Sequence, residues 1–251
     1  MGLTIVTAVR TVDASGDTAT LFDRLSAGAD EAVLLESLDG NGRNDRQSLM
    51  FVRAALRIEG RGRCVAVTAL TDNGRRAIAP LASDLALTAE VIAFDGALSV
   101  RFPPPARDGT DAERIAARTT ADALRCVLAG GREGEEPLRL AGVFAYDFVE
   151  QLEDLPPARE DRLGFPDFVF WVPEREAIVD HTTDRVTLIA HAYGNGTRGA
   201  GDPEPRVAAM AESLAGGERS TVSASAPPVV DARVEVDLDD QRFAALVEAL
   251  R

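Results

Sequence analysis

The stretch EAVLLESLDGNG, Glu31 to Gly42, places a carboxylate and a hydroxyl, Glu36 and Ser37, directly behind the apolar run Ala32-Val33-Leu34-Leu35 and ahead of a glycine-rich turn. Apolar residues on both alternating faces predict a strand covered on both sides, so Glu36 and Ser37 emerge where a buried sheet meets its edge, a common place for a ligand site. Taken alone, the same residues also read as a strand that ends and a turn that begins. The other chemistry-bearing residues point elsewhere. Tyr146 and Asp147 in GVFAYDF read as a packed ring and a turn-stabilising carboxylate at a strand end, not as a catalytic pair. His181 fits a hairpin turn, and His191 sits in a strand with no Cys, His or acid at ligand spacing, so neither suggests metal binding or general-base work. Trp171 reads as core or interface. Cys64 and Cys126 lie far apart in apolar periodic contexts, which favours buried free thiols over a disulfide or a zinc site. The glycine pairs at 129–131 and 194–196 lack a phosphate-cradle pattern.

Composition narrows the function classes. The 251 residues are 45% apolar and carry a formal net charge of −14, enough for a sizeable core and opposed to phosphate-backbone binding, which needs clustered cations. Nucleic acid is therefore not an expected partner. Every basic residue is an arginine, so a P-loop lysine, a pyridoxal Schiff base and a lysine nucleophile are all excluded. No run approaches the roughly 20 apolar residues that cross a bilayer, and the opening MGLTIVTAVRTVD has an early charge and no small-residue cleavage pattern. The expected location is the cytoplasm, without membrane association.

The elements that position these residues alternate between strand and helix. Thr4 to Arg10 predicts a strand, and Asp17 to Ala27 a short helix with Leu21, Phe22 and Leu25 on one face. Ser48 to Gly60 and Arg63 to Leu70 predict a hairpin turning at Gly60-Arg61-Gly62. TDNGRRAIAPLASDL predicts a helix broken near Pro80, and Gly96 to Phe102 a strand that Pro103-Pro104-Pro105 ends. Asp111 to Gly131 is expected to be one long helix, with Ile115, Ala116, Thr119, Ala123 and Val127 at helical spacing. LAGVFAYDFVEQLEDLP and the segment from Phe165 to Gly194 predict strands, the latter a meander turning near Glu174 and Thr182. A helix at DPEPRVAAMAESLAGG precedes a Ser/Ala/Pro-rich linker. Helices over runs of antiparallel strands predict an α+β fold of layered β-sheets covered by helices. The boundaries read as a domain over 1–215, a linker over 216–232 and the start of a second domain over 233–251, where Phe243, Leu246, Val247 and Leu250 recur at helical spacing. The pattern stops at Arg251, so the chain is expected to be the front portion of something longer.

Seven blocks in register, VLLESLD, SLMFVRAALRIEG, VAVTALTDNGRRAIAPL, VRFPPP, LAGVFAYDFVEQLEDLP, FPDFVFWVPEREAIVDH and DQRFAALVEALR, resemble the N-terminal half of the anthranilate synthase large subunit, component I. The blocks around Tyr146-Asp147 and Pro166-Asp167 are shared with aminodeoxychorismate synthase component I, the alternative, which resembles the opening blocks less well. The resemblance implies the N-terminal half of the component I fold. It also implies an enzyme, a lyase, that converts chorismate and ammonia from a glutamine amidotransferase subunit, component II, to anthranilate and pyruvate with Mg²⁺, in tryptophan biosynthesis. It implies that the chorismate and magnesium residues lie beyond the helix starting near Asp239, so this chain holds no catalytic residue or metal ligand and is expected to be inactive alone. It assigns the LLES block to L-tryptophan feedback inhibition. An α-amino acid needs an acceptor, a donor and, for an indole, a flat apolar slot, which Glu36, Ser37 and Val33 to Leu35 supply. Consecutive strand residues face opposite ways, so Ser37 is the first contact unless the strand bends at Asp39 to Gly42. Gln47 stands where some relatives are expected to carry a basic residue, and it donates a hydrogen bond without neutralising a carboxylate. Two contrasting readings are a stand-alone amino-acid-binding module and a structural subunit that only holds the glutaminase.

Overall fold

A computed structural model describes residues 2–13, 16–27, 29–36, 47–104, 110, 112–113, 117–134, 136–153, 163–216 and 239–249. The alternating apolar segments form β1 (Leu3–Asp13), β2 (Val33–Leu35), β3 (Gln47–Arg61), β4 (Cys64–Ala69), β5 (Glu90–Phe94), β6 (Ala97–Arg101), β7 (Gly131–Glu133), β8 (Ala141–Phe144), β9 (Phe168–Asp180) and β10 (Arg185–Asn195). They join in a single ten-stranded sheet of order β5-β6-β4-β3-β9-β10-β1-β7, with β2 added to β3 and β8 to β9. Among the described residues only β1 and β7 run parallel. The fold is α+β, as expected.

Helices cover both faces of this sheet. Leu3 and Ile5 of β1 and Tyr193 of β10 enter one core with α2 (Asp72–Leu85) and α3 (Asp122–Leu128). Val186, Leu188 and Ala190 of β10 enter the other with α1 (Thr18–Ser26) and α5 (Glu204–Ala215). A one-turn helix, α4 (Thr197–Ala200), follows β10. Side chains alternate along a strand, yet Met50 and Val52 of β3 lie in the second core and Leu56 and Ile58 in the first. The cause is a set of register shifts of β3 against β9 between Phe51 and Leu56. Bulges of this kind turn the following side chains to the opposite face, so β3 serves both cores in succession.

Several expectations are corrected. Proline 80 does not break its helix: α2 runs through it, because Ala77, Ile78, Leu81 and Leu85 bury one continuous stripe worth more than the missing backbone bond. The long helix over 111–131 is not one element. Thr110 and Glu113 exchange backbone and side-chain hydrogen bonds as a capping box, whereas α3 starts only at Asp122, whose Oδ2 accepts from the Thr119 N–H at 2.8 Å. Polar side chains at 119–122 capture backbone groups that a helix would use. Ile115 and Ala116 fall outside the described residues. No turn occurs at Glu174, which lies in mid-strand of β9. Tyr146 is 89% exposed and not packed; it opens a 3₁₀ helix, Tyr146–Gln151, where a strand was expected to continue. The run at Val33–Leu35 is not covered on both sides. It is a three-residue strand paired to β3, with Leu35 exposed.

The chain divides into residues 1–220 and 221–251. Apart from Gly216, the expected linker lies outside the described residues. The second unit contains α6 (Asp240–Ala249), capped where Asp239 Oδ1 accepts from the Arg242 N–H at 2.8 Å, with Phe243, Leu246 and Val247 exposed. Among the described residues no helix is long and apolar enough to cross a membrane.

Candidate functional site

Two of the three expected site residues, Glu36 and Gln47, lie at one end of the β2–β3–β9 ladder. Register pairs Leu35 with Leu49, and Glu36 follows at the strand's end, exposed. Gln47, the first residue of β3, is exposed opposite Asp180. Its side chain is near enough to the Asp180 carboxylate to favour the charged form. The Thr182 backbone N–H, at 2.8 Å from Oδ1, is the main cause holding that carboxyl below its ordinary value, with Thr183 and Gln47 adding to it. Next to this pair, Ser48 Oγ lies 2.8 Å from His181 Nε2. The structure therefore brings Glu36 and Gln47 to the same sheet end, with Asp180 as an acid that sequence reasoning did not single out. Ser37 lies outside the described residues.

A second polar group is buried in the sheet's centre. Glu176 and His191 are each 0% exposed, with Nε2 of the imidazole 3.1 Å from Oε1 of the carboxylate. Thr7 Oγ1 lies 3.0 Å from Nδ1. Each imidazole nitrogen faces one partner, so the ring links the Thr7 hydroxyl to the Glu176 carboxyl. The acid absent from the neighbourhood of His191 along the chain is supplied by the adjacent strand, where Ile189 pairs with Glu176. Arg139 Nη1 reaches the same Oε1 at 3.3 Å. This Thr-His-Glu line has the order of a catalytic triad, but with its acid and base fully enclosed it braces β1, β10 and β9 and meets no substrate. Tyr193 below it donates to the Pro173 carbonyl, and burial, reinforced by Glu176 and Glu174, pushes its hydroxyl well above the ordinary range.

The register shift places a third group beside the second. Thr71 caps α2 by accepting from the Gly74 N–H at 3.0 Å and donates its own proton to Glu174 Oε2 at 2.6 Å. Three arginines, Arg53, Arg175 and Arg206, surround the other oxygen of Glu174, which is 4% exposed. A cavity of about 60 Å³ adjoins Arg53, lined also by Thr71, Asp30 and Glu31 among others. Glu31 accepts from Arg57 at 2.7 Å and from the Trp171 indole, which accounts for that partly buried ring. A wider, shallower cleft of about 420 Å³ lies between Arg63, Glu90, Arg101 and Phe102. The two cysteines are free, as expected, but half-buried where full burial was expected; burial, and secondarily Asp84, pushes the Cys126 thiol up to about 11, which makes it unreactive. Among the described residues no three His, Cys, Asp or Glu side chains gather in a way that fits a metal ion.

Comparison with known proteins follows from this geometry. No family model matches the chain. It is 34% identical over 231 residues, 90% of its own length and 42% of the relative's, to anthranilate synthase component 1, pyocyanine specific, of Pseudomonas aeruginosa. It is 26% identical over 239 residues to anthranilate synthase component 1 of Haemophilus influenzae, covering 94% of this chain and 45% of that one. With the Serratia marcescens component 1 it shares 34% over 183 residues, 71% of this chain and 35% of the relative. The chain thus spans less than half the length of each. Among solved structures, anthranilate synthase component I of Streptococcus pneumoniae is similar with a TM-score of 0.40 and 9% identity, over 85% of this chain and 53% of that one.

Proposed function

From its relatedness to anthranilate synthase component 1 along nine-tenths of its length, we propose that this chain is the N-terminal regulatory portion of that enzyme. In this reading the whole subunit converts chorismate and ammonia to anthranilate and pyruvate for tryptophan biosynthesis in the cytoplasm. A glutamine amidotransferase, component II, delivers the ammonia, and Mg²⁺ acts at residues outside this chain. The LLES stretch senses L-tryptophan. The observation that carries the reading is the 34% identity over 231 residues with a component 1 relative; the exposed Glu36 and Gln47 at one sheet end are compatible with a ligand there. Ser37 hydrogen-bonds the ligand's charged head group, and Glu36 meets its ammonium or braces the turn. Gln47, in register opposite Asp180, contributes polarity without charge, so affinity for tryptophan is modest.

The test is Ser37→Ala in the complete subunit. Turnover without tryptophan stays nearly unchanged, while the tryptophan concentration for half-inhibition rises roughly ten- to a hundredfold, the worth of one hydrogen bond to a charged group. Glu36→Gln weakens inhibition as well if its carboxylate meets the ammonium. Parallel loss of activity and sensitivity on the same folded preparation would make Ser37 structural and remove the regulatory assignment. The 251-residue polypeptide by itself is expected to yield no anthranilate at any Mg²⁺ concentration; fluorescence of the product above a protein-free control would refute this.

A further inference from the structure

We propose that Arg53, Arg175 and Arg206 form a binding site for a small dianionic oxyanion of the phosphate class. Their Nε atoms stand 4.0, 3.8 and 3.6 Å from the same oxygen, Glu174 Oε1. All three separations exceed hydrogen-bond length, so Glu174 gathers the guanidinium groups electrostatically without consuming their donors. Its other oxygen is satisfied by Thr71. Three cations and one anion leave an excess of two positive charges in a chain whose formal net charge is −14, and a dianion cancels that excess.

The donors left over suit such a ligand. Arg175 Nε is buried with no hydrogen-bond partner, and burial together with the charges of Arg53 and Arg206 holds the Arg175 guanidinium below its ordinary range, a repulsion that a bound anion relieves. Arg206 uses one Nη on the Asp202 carbonyl at 3.3 Å. The side chains of Arg53, Arg175 and Arg206 are 41%, 29% and 25% exposed, so solvent ions reach them. Guanidinium forks bind phosphate-class oxygens in pairs. The register shift itself builds the site, because it sets Arg53 directly opposite Arg175 across adjacent strands. Nearby carboxylates are mostly engaged: Glu31 by Arg57 and Glu204 by Arg10, each at 2.7 Å. Asp30 and Glu31 line the cavity of about 60 Å³ together with Arg53. The inference is independent of the tryptophan reading.

Calorimetric titration of the 251-residue chain with inorganic phosphate, at ionic strength fixed with sodium chloride, tests it. One saturable site is expected. Arg53→Gln or Arg206→Gln weakens it by about tenfold, the loss of a charge-assisted contact, and Glu174→Gln, which raises the excess charge, strengthens it. Circular dichroism checks each fold, and Arg206, on the surface of α5, gives a variant that spares the sheet. Phenyl phosphate serves as a second arm: equal binding identifies the phosphoryl group of a larger ligand as the occupant, and binding of phosphate alone identifies the free ion. No heat beyond that of chloride, or phosphate binding unmoved by both arginine substitutions, overturns the proposal.

Discussion

Asp180 carries the pH dependence of the sheet end where Glu36 and Gln47 lie. Hydrogen bonds from Thr182 and Thr183, with Gln47 nearby, lower its folded pKa, so its stabilising effect is present above the unfolded carboxylate value near 4 and is lost as pH falls through the folded one. Asp180→Asn is therefore expected to destabilise the protein at pH 7 and to match the parent at the acid end, which urea melts at both pH values will show; a constant difference would assign the effect to packing. Glu36 and Ser37 draw attention by their types directly behind an apolar run, and Gln47 only through the family resemblance. Asp180 was not legible, since its place opposite Gln47 exists only once β3 meets β9; the adjacent Ser48 and His181 are 133 positions apart. His191 failed to announce its acid for the same reason: spacing along one strand says nothing of the neighbouring strand.

At the scale of elements, α2 depends on close approach to β3. A Cβ on Gly74 would stand 2.0 Å from the Ala55 carbonyl oxygen, whereas one on Gly62 meets open space at a φ of +53°. Gly74→Ala should cost about 3 kcal/mol by forcing helix from sheet, and Gly62→Ala about 1 kcal/mol through backbone strain alone; denaturant midpoints will rank them, and the reverse order would place the packing elsewhere. The start of α2 was readable in the capping Thr71, but its continuation through Pro80 was not, because burial of a stripe is a tertiary gain that local rules do not count. The β3 shift was equally hidden. Its apolar run from Leu49 to Ile58 looks uniform, and only the two cores on opposite faces reveal that the parity changes.

For the whole molecule, the exposed apolar groups Val143, Phe144, Tyr146 and Phe165 around β8 predict self-association at micromolar concentration, visible by light scattering. Val143→Glu with Phe165→Glu should suppress it while shifting stability by no more than about 0.5 kcal/mol per site; unchanged scattering would move the cause to another surface. The α+β class was legible from alternating segments, but the joining of all ten strands into one sheet was not, since register between distant strands leaves no trace in local pattern. That joining also has a timetable. Strand β1 is made before β10, yet it pairs along its whole length with β10, and Thr4 accepts from Gly196, 192 positions later. At a synthesis rate of roughly 5–20 residues per second the wait is about ten to forty seconds. Throughout it the ribosome-bound chain presents Leu3 and Ile5 without their partner strand, with the three-residue β7 arriving in between, so β1 is the segment on which holdase chaperones should act.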